Sequence, residues 1–222
     1  MFTNYILLIK KPKRRTPKTE MQFWTREEFD KFISVVDNPT YKTLFAMLFF
    51  TGRRKGEVLS LSPEDITSKG IKFNKSLTRK TLDDSTYKIT STKTEKVATT
   101  PICEPLRKIL EEYDAPNGRF YFGCDTPITD NTLRRAFNRY CEIAEVKQIR
   151  IHDLRHSFVS MLISLGGNLT VVADLIGDTL AQVTKTYAHL YEEDRSKIIA
   201  KIHTDFPEKF GIPRQSGLIE GL

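Results

Sequence analysis

Residues 151–190 read IHDLRHSFVSMLISLGGNLTVVADLIGDTLAQVTKTYAHL. The first part of this stretch predicts a helix, because apolar residues recur there at helical spacing: Leu154, Phe158, Leu162 and Leu165. His152 and Arg155 are three residues apart and are therefore expected on one side of that helix. A glycine pair, a second apolar-periodic stretch and a short helical segment follow, with Tyr187 close to the end. This order can bring the tyrosine back to the pair, and the three side chains suggest phosphodiester chemistry on DNA.

Composition indicates a folded chain with a positive field. The 222 residues can form one large or two modest domains, and 39% hydrophobic residues suffice for a core. A formal charge of +7 and a pI near 9.2 suit a polyanionic partner. No apolar run is long enough for a membrane span, and the N-terminal charges follow the apolar stretch, the reverse of a secretory signal. We therefore expect no membrane partner and a cytoplasmic location.

The three cysteines are widely spaced and include no CxxC pair. They indicate neither a disulfide framework nor a zinc ligand set, so reduced, structural thiols are expected.

The first 20 residues predict an extended basic segment. Lys11, Arg14 and Arg15 are among six cations here, and Pro12 and Pro17 oppose a helix. Such a segment either lies along a phosphate backbone or is a solvated tail.

A capping-box pattern at Thr25 and Glu28 predicts a first helix, and residues 41–50 predict a buried one. A glycine break and another short helix follow, with three consecutive cations between them. Glu57 is an obvious partner for Arg54, and this local pair is the plainest role for that arginine. Arg53 and Lys55 are expected to be surface cations with possible DNA backbone contact.

Alternating and β-branched residues over 70–75 and 85–101 predict a small antiparallel sheet of about three strands. Lys93 falls at the expected hairpin tip, where a solvated turn lysine is the ordinary interpretation.

Residues 129–144 predict a helix with Leu133, Phe137 and either Ile143 or Ala144 inward. The other side carries Asn138 and three arginines: Arg134, Arg135 and Arg139. This face either contacts a DNA groove or is a plain solvated face.

Taken together, the motifs resemble the catalytic domain of the tyrosine recombinases, the integrases of phages and conjugative transposons. The resemblance covers roughly residues 22–204, and the intervals from Arg155 and Asp178 to Tyr187 are also usual for that family. The motifs occur in this order: Thr51-Gly52-x-Arg54-x-x-Glu57, Thr92-Lys93-Thr94, His152-x-x-Arg155-His156, Ile176-Gly177 and Thr186-Tyr187-Ala188-His189. The implied fold is α+β and mainly helical, with a small antiparallel sheet.

The resemblance implies a role for each of five residues. Tyr187 is the nucleophile that forms a 3′-phosphotyrosyl intermediate, and Arg54 and Arg155 clamp the phosphate oxygens. His152 binds the phosphate or helps to take the tyrosine proton. Lys93 is the acid that protonates the leaving 5′-oxygen. No cofactor and no metal ion is implied.

Three further positions are interpreted differently. Asp178 stands where the family usually has a histidine or tryptophan that donates a hydrogen bond to the phosphate, which an ionised carboxylate cannot do. We expect it either to turn away from the phosphate or to bind a neighbouring cation, with some loss of rate; Asp178 or Thr179 can cap the next helix. A structural role is favoured for His156 and for Glu57, whereas His189 is expected to face solvent.

The resemblance also implies a domain organisation. Residues 1–20 are interpreted as the remnant of an interdomain linker, residues 21–204 as the catalytic domain, and residues 205–222 as a tail that docks in trans. A full-length enzyme is expected to act as a homotetramer on double-stranded DNA attachment sites, with accessory factors, and this fragment to be weakly active alone. The alternatives are a type IB topoisomerase-like relaxing enzyme and a catalytically impaired DNA-binding relative.

Overall fold

The fold was analysed in a computed structural model, which describes residues 22–78, 87–91, 99–191, 199, 200 and 202. The interpretations of residues 1–20 and 205–222, and of Lys93 at a hairpin tip, lie outside these residues.

Helices dominate the described part of the chain. They are α1 (Arg26–Ser34), α2 (Pro39–Thr51), α3 (Lys55–Leu59), α4 (Glu104–Glu111), α5 (Asp130–Ile143), α6 (Asp153–Ser164), α7 (Leu169–Ile176) and α8 (Leu180–Tyr187). Short 3-10 turns cover Pro63–Asp65 and Ala188–Tyr191. The mainly helical fold class predicted from sequence is confirmed.

The strands are short and antiparallel. They are β1 (Ile66–Thr67), β2 (Gly70–Lys72), β3 (Lys75–Thr78), β4 (Lys88–Ser91) and β5 (Thr99–Thr100). One sheet has the order β1-β2-β5, with Ile71 of β2 opposite Ile66 and Thr100, and β3 pairs with β4 in a separate ribbon. A small three-stranded antiparallel sheet is present as expected, but its β1 lies outside the predicted ranges. β4 lies within them and pairs with β3 in the separate ribbon.

An aromatic core joins α1, α2 and α5. The predicted capping box is confirmed, because Thr25 and Glu28 hydrogen-bond each other's backbone at the start of α1. This helix buries Phe29 and Phe32. Phe29 stacks on Phe49 of α2 with ring centroids 3.6 Å apart, and Phe32 contacts Phe137 of α5 at 5.2 Å. Aromatic packing of this kind adds about 0.5–1.5 kcal/mol per pair beyond burial.

A second apolar cluster holds α6, α7 and α8 together. Its members are Phe158, Val159, Ile163, Val172, Ala173, Ile176, Val183 and Tyr187. Of the residues that predicted the first of these helices, Phe158 lies in this cluster, Leu162 packs against it and Leu154 is buried in the first core. The exception is Leu165. That residue follows the end of α6 and is 76% exposed, because Gly166 turns the chain away from the helix with a φ of +80°.

The outward arginines of α5 are exposed as expected, while Leu133 and Phe137 are buried. Of the two alternatives at the end of this helix, Ala144 is half-buried and Ile143 is 50% exposed. Cys103, Cys124 and Cys141 are free thiols, of which Cys141 is buried in the core.

Among the described residues, none of the helices combines the length and the apolar character needed to cross a bilayer.

Gly52 couples the two clusters, and its replacement by alanine tests the packing there. Its φ is +58°, and an added Cβ would lie 2.5 Å from Phe158 Cδ1 and 2.9 Å from Ile176 Cγ2. We expect Gly52→Ala to lower the free energy of unfolding by about 2–5 kcal/mol, since left-handed backbone strain adds to overpacking. The measurement is urea denaturation followed by circular dichroism.

Gly166→Ala is the matched control. Gly166 also has a positive φ, but a Cβ there would meet no described atom within 4 Å. The free energy of unfolding of Gly166→Ala should fall only by the backbone-strain contribution, about 1–2 kcal/mol. Equal losses in the two variants would contradict the packing assigned to Gly52.

Candidate active site

Four of the five residues predicted to carry the chemistry share one cavity; they are Arg54, His152, Arg155 and Tyr187. The cavity has a volume of about 210 Å³, and its remaining lining residues are His156, Asp178, Gln182, Val183 and Thr186. The fifth, Lys93, lies outside the described residues.

Arg155 is the most deeply held of these groups. It lies in the first turn of α6, and its side chain is only 6% exposed. Nη1 donates to the carbonyl oxygens of Gly52 and Ile176, each at 2.8 Å, and Nη2 donates to Asp178 Oδ2 at 2.5 Å. Burial lowers the pKa of Arg155, and the charge of Arg54 lowers it further. A guanidinium still stays charged at neutral pH.

Arg54 precedes α3 and turns its side chain to the same carboxylate. Its Nη2 is 2.9 Å from Asp178 Oδ2, and its Nη1 is 3.4 Å from Glu57 Oε1. Glu57 also accepts from the backbone N–H of Arg54 at 3.1 Å. The local pair with Glu57 is therefore confirmed. Because the Arg54 side chain is 47% exposed, it can also reach a group that enters from solvent.

Arg53 is buried, so the expectation that it is a surface cation was wrong. It is 7% exposed, its guanidinium lies over the ring of Phe73, and Nη2 donates to Thr100 Oγ1 at 2.8 Å. A Cβ on Gly177 would collide with the same guanidinium, so only glycine leaves it this room. Lys55 is half-buried and paired with Asp130 at 2.6 Å.

Asp178 takes the second of its two expected arrangements, since it binds neighbouring cations. One carboxylate oxygen, Oδ2, accepts from both Arg54 and Arg155. The predicted cap of α8 is supplied by Thr179, whose hydroxyl accepts from Gln182 N–H at 3.2 Å. One acidic oxygen between two guanidiniums shows that this position holds an anionic oxygen.

Tyr187 ends α8 with its side chain turned into the cavity. It is 3% exposed, and burial raises its pKa to about 12, although the charge of Arg155 acts in the opposite direction. Its hydroxyl oxygen is 2.5 Å from Nδ1 of His156. A tyrosine with this pKa releases its proton only to a partner that is already in contact with it.

The two histidines of the cavity occupy different positions. His152 precedes α6 and has an exposed surface, while partial desolvation within the site and the charge of Arg155 lower its pKa. His156 lies one turn further on, edge to face with His152 at 5.2 Å. The contact of His156 with Tyr187 was not foreseen, although the spacing of four residues from His152 places both on one helix face. His189 is exposed, as expected.

A second groove continues from the cavity at His152. It has a volume of about 500 Å³, and its charged lining residues are Lys55, Asp130, Arg134 and Arg150. Arg135 and Arg139 are exposed on the same helix as Arg134. The remaining predicted DNA contacts, Lys11, Arg14 and Arg15, fall outside the described residues.

Among the described residues, no three or more His, Cys, Asp or Glu side chains are grouped so that they could hold a metal ion.

Comparisons with known proteins identify the family of the chain and its fold. The sequence model of the phage integrase family matches residues 22–194. The chain is similar to the ICEBs1 integrase of Bacillus subtilis (strain 168), with 30% identity over 211 residues, 85% of this chain and 56% of that protein. The chain thus spans a little over half the length of that relative.

Two solved structures are similar in fold. One is the Tn1549 transposon integrase in complex with transposon right end DNA, with a TM-score of 0.69 at 19% identity over 86% of this chain and 68% of that chain. The other is the catalytic domain of bacteriophage HP1 integrase, with a TM-score of 0.53 at 18% identity over 86% of this chain and 98% of that chain.

The place of Asp178 predicts how the site responds to an anion. We expect Asp178→Asn to lower the free energy of unfolding by about 1.5–3 kcal/mol, because charge-assisted hydrogen bonds to two guanidiniums are weakened. Added sulfate should then stabilise the variant by binding the two arginines that the carboxylate no longer neutralises. The measurement is the melting temperature across a sulfate titration.

Asp174→Asn is the control for general salt effects, because it removes an equal charge from an exposed position on α7. Sulfate should raise the melting temperature of Asp178→Asn more than that of the control or of the wild type. If sulfate raised the melting temperature equally in all three proteins, the two arginines would not be an anion-binding site.

Proposed function

The chain belongs to the phage integrase family, and on that premise we propose that it is a site-specific DNA recombinase of the tyrosine type. It cuts and rejoins DNA through a 3′-phosphotyrosyl intermediate and thereby integrates or excises a mobile element. The observation that carries the proposal is the single cavity that contains a buried tyrosine hydroxyl and two arginines.

The proposed reaction is a transfer of the phosphate between oxygens. The Tyr187 oxygen attacks the scissile phosphorus and the bond to the 5′-oxygen breaks, which leaves a free 5′-hydroxyl. A 5′-hydroxyl from the partner strand then attacks the phosphotyrosine and releases the enzyme. The bond energy is kept in the ester, so the reaction needs neither ATP nor another cofactor.

In this proposal the two arginines neutralise the pentavalent phosphate. Their planar guanidiniums can each donate two hydrogen bonds to phosphate oxygens, and loss of one such donor typically costs 2.7–4 kcal/mol of barrier, or about 10²–10³ in rate. Asp178 has to release both arginines before the phosphate can take its place. That exchange slows the reaction relative to a site with a hydrogen-bond donor at this position.

His152 and Lys93 complete the proposed machinery. His152 is at the open edge of the cavity, so its ring nitrogen can donate a hydrogen bond to a phosphate oxygen. Lys93 protonates the leaving 5′-oxygen. With cations supplied by side chains, the proposed reaction requires no metal ion.

The proposed partners are double-stranded DNA attachment sites. The groove that carries Arg134 continues from the cavity, which would extend the contact along the DNA. A homotetramer on two duplexes, accessory factors, a linker role for residues 1–20 and docking of residues 205–222 in trans belong to the same proposal, as does a cytoplasmic location.

Covalent trapping tests the proposed function. Nicked suicide duplexes, tiled across the DNA that flanks the encoding gene, should yield a covalent adduct with the wild-type protein. Tyr187→Phe should yield no adduct, because the phenylalanine ring fills the same space but lacks the oxygen that attacks phosphorus. The adduct is detected as a retarded band in denaturing gels. No adduct, or an adduct that survives in Tyr187→Phe, would refute the mechanism.

Two assays on the wild-type protein distinguish a recombinase from a topoisomerase-like enzyme. A recombinase joins paired attachment sites, whereas a topoisomerase-like enzyme relaxes supercoiled DNA without them. The double pairing of Asp178 favours a catalytically impaired relative as the second candidate. An impaired protein would bind DNA but form no adduct, and Asp178→Asn or Asp178→His would then restore adduct formation.

Arg134 tests the proposed DNA groove without knowledge of the target site. Arg134→Ala should weaken binding of a fluorescent duplex of arbitrary sequence, since phosphate contacts are independent of sequence. The slope of log affinity against log salt should fall by about one. Arg107→Ala, on α4 and paired with Glu104, serves as the control. Equal slopes for both variants would exclude Arg134 from the interface.

A further inference from the structure

His156 contacts the one atom on which the proposed chemistry depends. Its Nδ1 is 2.5 Å from the Tyr187 hydroxyl oxygen, and the ring centroids are 5.6 Å apart. The histidine is half-buried on α6, and the tyrosine is buried at the end of α8. Both helices are fixed by the apolar cluster between them, so the two side chains are held together by the fold.

The other ring nitrogen of His156 faces a carboxylate. Its Nε2 is 3.9 Å from Asp153 Oδ1, and the Asp153 side chain is 3% exposed. Arg150 fixes this carboxylate with its guanidinium at 2.7 Å and with its backbone N–H at 2.9 Å. The negative charge favours the tautomer with the proton on Nε2, which leaves the lone pair of Nδ1 to accept from the tyrosine hydroxyl.

Burial, together with the positive groups around it, keeps His156 neutral. Burial and the adjacent His152 lower its pKa to about 4, against the opposing effect of Asp153, and Arg150 and Arg155 lower it further. The groups that face it are thus His152, Asp153, Arg150, Arg155 and Tyr187. A neutral ring can accept a hydrogen bond, whereas a protonated ring could only donate.

We propose that His156 holds the hydroxyl of Tyr187 in position for attack and takes its proton as the bond to phosphorus forms. This role rests on the proposed function. It also gives the two histidines separate roles: His156 accepts the proton of the tyrosine, and His152 binds the phosphate.

The proposed step balances. The bond between Tyr187 oxygen and phosphorus forms, the bond from phosphorus to the 5′-oxygen breaks, and the phenolic proton passes to Nδ1 of His156. The ammonium of Lys93 supplies the proton that the 5′-oxygen takes. In the rejoining step both protons return. Since the pKa values of Tyr187 and His156 are far apart, transfer before attack is unfavourable, and the proton moves together with bond formation.

Two substitutions of His156, with a control substitution at His189, test this role. His156→Ala should slow adduct formation about 100-fold or more, the range of general-base contributions. His156→Asn should recover part of the rate, because its amide oxygen can accept the hydroxyl proton in hydrogen bonding. His189→Ala, at an exposed histidine, should react like the wild type.

A 5′-bridging phosphorothiolate substrate separates attack from departure, since its thiolate leaves without a proton. It should rescue Lys93→Ala but not His156→Ala. Wild-type rates in His156→Ala, or its rescue by the phosphorothiolate, would overturn the proposal.

Nitrogen-15 NMR of the histidines gives a readout that does not depend on activity. His156 should show a protonated Nε2 and a hydrogen-bonded, unprotonated Nδ1 whose resonance shifts in Tyr187→Phe. A protonated Nδ1, or no shift, would overturn the inferred contact while leaving the proposed function intact. A wild-type protein without any adduct would instead overturn the proposed function, and with it the role of His156 in attack.

Discussion

The buried guanidinium of Arg155 is the interaction on which the site depends. It binds carbonyl oxygens at the ends of two helices, those of Gly52 after α2 and Ile176 at the end of α7, and it also binds Asp178. A buried charge that loses its partners typically costs about 3–5 kcal/mol. The contacts of Arg155 therefore hold these segments together. The first leads directly to Arg54, and the second leads through α8 to Tyr187. One side chain thus joins the segments that carry Arg54 and Tyr187.

The electrostatics of the cavity follow from that arrangement. Two guanidiniums converge on one oxygen of Asp178, so the carboxylate partly neutralises both cations. In the proposed reaction the phosphate has to displace this carboxylate from both arginines. The tyrosine is kept protonated by burial, and its hydroxyl contacts a neutral histidine. In the proposed reaction, Tyr187 therefore stays protonated until the phosphate enters the cavity.

Local sequence predicted much of this and failed where long-range packing decides. The periodicity of residues 151–190 gave the helices and the convergence of Arg155 with Tyr187, and Glu57 was found because it is one turn from Arg54. Arg53 was misjudged, since its buried position depends on Phe73 and Gly177, far along the chain. The pairing of Asp178 with both arginines likewise joins residues distant in sequence. Helical spacing did offer a signal for His156, but its partner Tyr187 lies on another helix.

A crystal structure with orthovanadate and a nicked duplex tests the central claim most directly, because vanadate adopts the five-coordinate geometry of the transferring phosphate. We expect vanadate bonded to the Tyr187 oxygen, with its equatorial oxygens on Arg54 and Arg155 and with Asp178 displaced from both. Vanadate bound elsewhere, with Asp178 still on the two guanidiniums and Tyr187 unbonded, would contradict it.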